Sequence, residues 1–279
     1  MDRDLTSHAH DPIPALMRQL DSLIDGESAS AKLAACGPRA IPPLQSFLVH
    51  GRPSGVPQPR CWAVRALSGL GAKDVLIAYL EQEPAPDPVV RLAEEAVQRE
   101  AALALTSWDT PDVFPVLMRA ANRQLIPGVI EALARFDRRE TVPIFLRALE
   151  DDFCRPWAAT ALEAHVDRDG DVLIRSALDA RPDGVHETRA SLRRRRALLA
   201  VLRSHRLPMS AAHALAPLID SPDPELAVDA CAIALADGPE DDRVHARQRL
   251  ERLEPDAPWH VHADVTALLN GCGHARPLR

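Results

Sequence analysis

The side chains best suited to chemistry fall into a few clusters. Near the C-terminus, the segments PWHVHADV and NGCGHARP offer His260, His262, Cys272 and His274 as soft metal donors. An H-x-H spacing places both imidazoles on one side of an extended segment, which can chelate zinc. The intervening residues read as helix, however, and no second cysteine completes a known ligand pattern, so no metal is expected. His8 and His10 sit in a polar tail, expected to be disordered over residues 1–11.

The strongest charge feature is Arg193-Arg194-Arg195-Arg196, flanked by Arg189, Arg203, His205 and Arg206. Four consecutive residues cover about 300° of a helix surface and cannot all face one ligand. Arg189, Arg193 and Arg196 share a face, whereas Arg195 falls near Leu192, Leu199 and Leu202. Acidic clusters recur at intervals: Glu81, Glu83 and Asp87; Glu150, Asp151 and Asp152; Asp220, Asp223 and Glu225; Glu240, Asp241 and Asp242. Such residues can cap helix starts, or they can form a negative edge that steers a basic partner. The residues assigned to partner contact are Arg189, Arg193 and Arg196 with Glu150, Asp151 and Asp152. The chain carries no GxSxG, HExxH or phosphate-cradling glycine loop, and only 12 glycines, so no catalytic residue and no cofactor is assigned.

The elements that position these clusters repeat along the chain. An alanine-rich amphipathic segment ends in a leucine, and a short polar turn leads into a second apolar segment. The anchor leucines are Leu33, Leu67, Leu105, Leu133, Leu162, Leu202 and Leu235. In five units a β-branched residue follows at a nearly fixed offset and opens the second helix: Ile41, Val75, Val113, Val142 and Val172. The intervening turns GPRAIPPL, GAKDVLIAYL, DTPDVFPVLM, DRRETVPIFL and DRDGDVLIRSAL carry Gly, Pro or Asp where one helix stops and the next starts. Longer breaks fall at residues 50–59 and 180–187. The hydrophobic content rests on Ala, Leu and Val, with aromatics at 4%, as closely packed helices require.

The best copy of the pattern, Arg60 to Gly71 (RCWAVRALSGLG) followed by Asp74-Val75, resembles the HEAT-like repeats of the phycobilin-lyase type. The resemblance implies an all-α solenoid of about seven stacked antiparallel helix pairs over residues 12–255, forming a curved right-handed superhelix. A capping helix and tail would follow over residues 256–279. Aligned on the anchor leucine, Arg60, Arg155 and Arg195 take the family's arginine position, which typically pairs with acids of adjacent turns, and Trp62 lies opposite Trp157. The third unit is lengthened, the sixth lacks the Asp-Val opening of its second helix, and the seventh ends in a charged helix over residues 244–253.

This resemblance speaks for fold more than activity. The reading it favours is a non-enzymatic scaffold that binds another protein on a concave surface lined by second helices. Alternatives are a lyase-like or chaperone-like helper holding a cofactor or modified substrate in the groove, and nucleic-acid binding through the helix from Arg189 to Arg206. A net charge of −7 works against the last of these. So do the four dispersed tryptophans, which argue against an aromatic-lined groove of the kind used by solenoid DNA glycosylases. The five scattered cysteines predict reduced thiols. The polar N-terminus and the lack of a long apolar run predict a soluble cytoplasmic chain with no membrane span.

Overall fold

The computed structural model describes residues 11–50, 56–83, 86–108, 110–180, 182–183 and 186–271. Apart from a two-residue antiparallel bridge between Pro182–Asp183 and His186–Glu187, its regular structure is helical. Two compact units divide the chain, Met1–Phe136 and Asp137–Arg279. The first holds α1 (Ile13–Gln19), α2 (Gly26–Ala35), α3 (Ile41–His50), α4 (Gln58–Gly69), α5 (Lys73–Leu80), α6 (Pro88–Leu105), α7 (Val113–Arg123) and α8 (Pro127–Leu133). The second holds α9 (Val142–Ala148), α10 (Arg155–Glu163), α11 (Val166–Leu178), α12 (Arg189–Arg203), α13 (Met209–Ala214), α14 (Pro224–Asp237), α15 (Glu240–Leu253) and α16 (Trp259–Leu269).

Turn chemistry sets the helix ends. After α4, Gly71 takes a positive φ of 70°, donating to the Ser68 carbonyl at 3.0 Å while Ala72 donates to that of Leu67 at 2.9 Å. This pair of bonds is a Schellman close, and only glycine adopts the left-handed centre without strain. Gly37, with φ 76°, stops α2 with a single bond to the Ala34 carbonyl at 3.3 Å, since Pro38 after it has no N–H to give the second. At the opposite ends, the side chains of Asp87, Thr188 and Asp223 accept from Val89, Ser191 and Leu226 N–H groups and start α6, α12 and α14.

Within the first unit, α2 packs on α4, α4 on α6 and α6 on α8, with α3, α5 and α7 beside them. Contacts between alternate helices keep a constant register. Cys61 meets Ala96 and Arg65 meets Glu100, both 35 residues apart. Lys73 meets Thr110 at 37 and Glu81 meets Arg119 at 38. An antiparallel pair would give a spacing that shrinks along the helices, so α4 and α6 run the same way, as do α5 and α7. The second unit repeats the pattern: Arg196 of α12 reaches Asp223, which caps α14, at 27 residues, and Arg203 reaches Asp229 at 26. Side by side, α10, α12, α14 and α16 form one row of this unit.

Six anchor leucines, Leu33, Leu67, Leu105, Leu133, Leu162 and Leu202, are wholly buried. The seventh, Leu235, is half-buried, because α14 turns Ile233 and Ala234 inward instead. Small side chains permit the close approach. Trp62 of α4, only 5% exposed, lies across Gly26, where a Cβ would stand 2.0 Å from its ring. At Gly128 of α8 a Cβ would come within 2.6 Å of the Arg99 Cα. Ile41, Val113 and Val142 open their helices as the spacing predicts, and Val75 stands in the first turn of α5. Val172 stands in the first turn after a kink: α11 begins at Val166 and is interrupted at Asp169 (φ −120°, ψ 16°), inside the DRDGD segment, and its second part carries Val172.

Candidate functional site

The arginine helix α12 is tied to its neighbours in the second unit. Arg194 is 1% exposed, with Nη1 donating to Glu150 at 2.6 Å and Nη2 to the Asp179 carbonyl at 2.5 Å. Arg195, also buried, donates to the Ala177 carbonyl at 2.7 Å and pairs with Glu187 at 2.5 Å. On the far side, Arg196 grips Asp223 with Nε at 3.1 Å and pairs with Glu225 at 2.9 Å, while Arg203 pairs with Asp229 at 2.8 Å. Arg193 reaches Asp152 at 3.4 Å, and Arg189 stands exposed at the helix start. Glu150, Asp152, Arg193 and Arg196 are therefore brought onto one helix and its flanks, as internal ion pairs. Asp151 accepts from the Phe153 and Cys154 amides at 2.9 and 2.8 Å, a turn-forming role. Sequence reading passed over Arg194, the most buried of the run. The signal for it was the acid lying 44 residues upstream, visible only once the register was known.

At the arginine position of the repeat, Arg60 is buried against Glu94 at 2.5 Å, and Glu94 also accepts from the Tyr79 hydroxyl at 2.6 Å. Arg155 is half-buried, pairing with Asp152 and donating to the Leu149 carbonyl at 3.1 Å. The two aligned tryptophans differ: Trp62 is core, whereas Trp157 is 38% exposed. Most of the acidic turns have partners in place, Glu81 the Arg119 guanidinium, Asp220 the His245 ring at 3.1 Å and Asp242 the His213 ring at 2.7 Å. Glu83, Asp87 and Asp241 remain exposed.

Two surface cavities lie between successive second helices, one in each unit. Between α5 and α7 a cavity of about 390 Å³ is lined by Ile77, Ala78, Pro115 and Val116 together with Asp74, Glu81, Asp112 and Arg119. Lys73 pairs with Asp112 at 2.7 Å, and hydrogen bonds from Lys73 and Thr110 bring that carboxyl down to about 2. Between α11 and α13 a cavity of about 430 Å³ is lined by Val166, Ile174, Leu207 and Pro208, with Arg168, Asp171 and Arg206 among its charges. Behind its wall sit the buried His165 and Asp169. Asp169 meets Arg139 at 2.6 Å and Arg168 at 3.2 Å, and His165 Nδ1 lies 3.2 Å from its carboxylate and 2.6 Å from the Arg168 guanidinium. Burial pushes the Asp169 carboxyl up, but hydrogen bonds from Arg168 and His165 and the charge of Arg139 outweigh it and hold it below the usual carboxylate range.

The proposed metal donors do not converge among the described residues. His260 and His262 stand on α16, where positions two apart point to different faces, and His260 contacts Glu225 at 3.3 Å. Cys272, His274, His8 and His10 lie outside the described residues, and among those described no group of three or more His, Cys, Asp or Glu side chains could hold a metal. Cys61, Cys154 and Cys231 are buried outside any disulfide, and burial raises the Cys61 thiol to about 11 and that of Cys231 to about 12. No described helix is long and apolar enough to cross a membrane.

No known protein family matches the chain, and no curated protein sequence matches it. Among solved structures, a crystal structure of an engineered protein from the Northeast Structural Genomics Consortium aligns over 94% of this chain and 96% of its own, at 18% identity and a TM-score of 0.30. At that score the alignment carries no argument. The helices packed side by side in constant register are compatible with a helical repeat fold.

Proposed function

We propose that the chain is a HEAT-like α-solenoid that acts as a non-enzymatic scaffold, binding a partner protein along its second helices. The observation that carries this reading is the recurrence of one kind of cavity, α5 against α7 and α11 against α13, each lined by apolar and charged side chains together. The apolar side chains supply contact area, and the charged ones select and orient what docks there. The arginines of α12, engaged with acids on both flanks, serve cohesion between repeats rather than a nucleic-acid backbone.

The test is site-specific photo-crosslinking in the native host, with a benzophenone side chain at Ala78 or Ala211 in the two cavities and at Arg65 on a first helix. The scaffold reading expects one protein captured from both cavity positions and not from Arg65. Equal capture at all three positions, or none, rejects it. A second reading, a lyase-like or chaperone-like helper holding a cofactor or modified substrate, is favoured by the Arg168 and Arg206 guanidiniums bordering the larger cavity. A small molecule that co-purifies with the chain and is lost from an Arg168→Ala, Arg206→Ala variant would move the assignment there.

A further inference from the structure

Exposed apolar side chains in the first unit are not scattered. Leu23, Ile24, Val56, Val89 and Leu92, its strongly exposed large hydrophobic residues among those described, are between 47 and 91% exposed. Leu23 and Ile24 immediately precede α2, Val56 precedes α4, and Val89 and Leu92 lie in the first turns of α6. Because α2, α4 and α6 are neighbours, with Gly26 against Trp62 and Ala34 against Gly69 in one pair and Cys61 against Ala96 and Arg65 against Glu100 in the next, all 35 or 36 residues apart, these positions fall on one edge of the unit. Packed helices stand about 8–10 Å apart, so the edge extends roughly 20 Å. Isolated exposed aliphatics are ordinary, whereas several gathered at the starts of three neighbouring helices point to an interaction surface. Carboxylates outnumber basic groups around it: Asp21, Asp25, Glu27, Glu83 and Asp87 are all exposed and flank the same helix starts, against exposed Arg18, half-buried Arg91 between Val89 and Leu92, and Arg65 at 4.0 Å from Glu27.

We infer that this N-terminal edge of the first-helix row is a docking surface, separate from the second-helix cavities, for an amphipathic helix of a partner protein with an aliphatic face and lysine or arginine flanks. The aliphatic face matches the five apolar side chains, and the basic flanks match the five carboxylates. An anionic bilayer meets the same carboxylates as repulsion. A second copy of the chain would set two acidic rims against each other.

The probe is a fluorescent peptide of about 18 residues with leucines at i, i+3, i+4 and i+7 spacing and lysines elsewhere. It is compared with the same peptide carrying glutamates in place of the lysines, each titrated by anisotropy against the full-length chain. The lysine peptide binds, and the glutamate peptide binds at least about tenfold more weakly. The variants Val89→Ser, Leu92→Ser and Leu23→Ser, Ile24→Ser each weaken the lysine peptide by about tenfold or more, the loss of one to two buried aliphatic contacts. Their helical circular dichroism stays unchanged, since these side chains support no core. Ala78→Glu in the α5–α7 cavity leaves the affinity as it was. The inference is overturned if the lysine peptide does not bind, if both peptides bind alike, if the edge variants bind as wild type, or if Ala78→Glu costs as much as they do. It is equally overturned if the edge variants abolish a dimer seen by light scattering, or if wild type but not the variants floats with phosphatidylserine vesicles.

Discussion

If the arginines of α12 join repeats, Arg194 should be the costliest of them to lose. Its side chain is 1% exposed and is held by Glu150 at 2.6 Å, the Asp179 carbonyl at 2.5 Å and the Ser191 hydroxyl at 3.5 Å. Breaking a buried ion pair from one side costs about 3–5 kcal/mol, because the remaining charge is left without compensation. Glu150 retains 24% exposure, so water recovers part of that loss and the expectation for Arg194→Met moves toward about 3 kcal/mol. Arg194→Ala adds a cavity and should cost about 1 kcal/mol more. Arg193, 41% exposed and 3.4 Å from Asp152, should cost under about 0.5 kcal/mol as alanine. Urea unfolding followed by far-UV circular dichroism measures all three, and native-state hydrogen exchange assigns the loss to α10, α12 and their neighbours. The double variant Arg194→Met, Glu150→Gln should recover about 1 kcal/mol or more relative to the sum of the singles. If Arg194→Met and Arg193→Ala prove equally mild, the arginine run does not brace the second unit and is free to serve a ligand.

The remaining tests address packing and pH. Leu162→Ala should destabilise by about 2–5 kcal/mol, since Leu162 is fully buried, while Leu235→Ala, half-buried, should cost visibly less in the same urea assay. Gly26→Ala, whose Cβ would stand 2.0 Å from the Trp62 ring, should cost about 1–3 kcal/mol, and the penalty should shrink in a Trp62→Leu background. Asp169 titrates below its unfolded value, so the stability it contributes is present above about pH 4 and is lost as pH falls through its folded value. Thermal unfolding of Asp169→Asn between about pH 7 and 3 should therefore show a shallower acid loss than wild type, and an identical slope would remove the carboxylate from the acid-sensitive set.

Much of the helix order was legible because it depends on local signals. Anchor leucines mark where each first helix meets the core, and Gly37 and Gly71 mark left-handed stops. The misreadings have long-range causes. DRDGD does break the helix, but as a kink at one residue rather than a loop, because Asp169 is buried against Arg139, Arg168 and His165 and holds the two parts of α11 together. The charged last helix starts at Glu240, four residues before Val244, because three acids in its first turn suit the helix dipole. Trp62 and Trp157 align in sequence but differ in burial, since only Trp62 has a glycine across from it.

The polar and apolar surfaces of this chain invert the usual guide to a functional site. Four consecutive arginines ordinarily suggest a ligand for guanidinium groups, but a helix that buries two of them between neighbours uses the charge to choose which helices lie beside it. An aliphatic core is indifferent to register, because leucine packs against leucine at many offsets. A guanidinium that must meet Glu150 on one side, with its successor two positions on meeting Asp223 on the other, is satisfied at one offset only. Register selection of this kind is useful where aromatics are few and alanine-rich helices could slide. Conversely, Ile24 and Leu92, large aliphatic side chains, stand exposed to solvent. The search for partners therefore belongs at the exposed aliphatics and the second-helix cavities, with the paired arginines as structural controls.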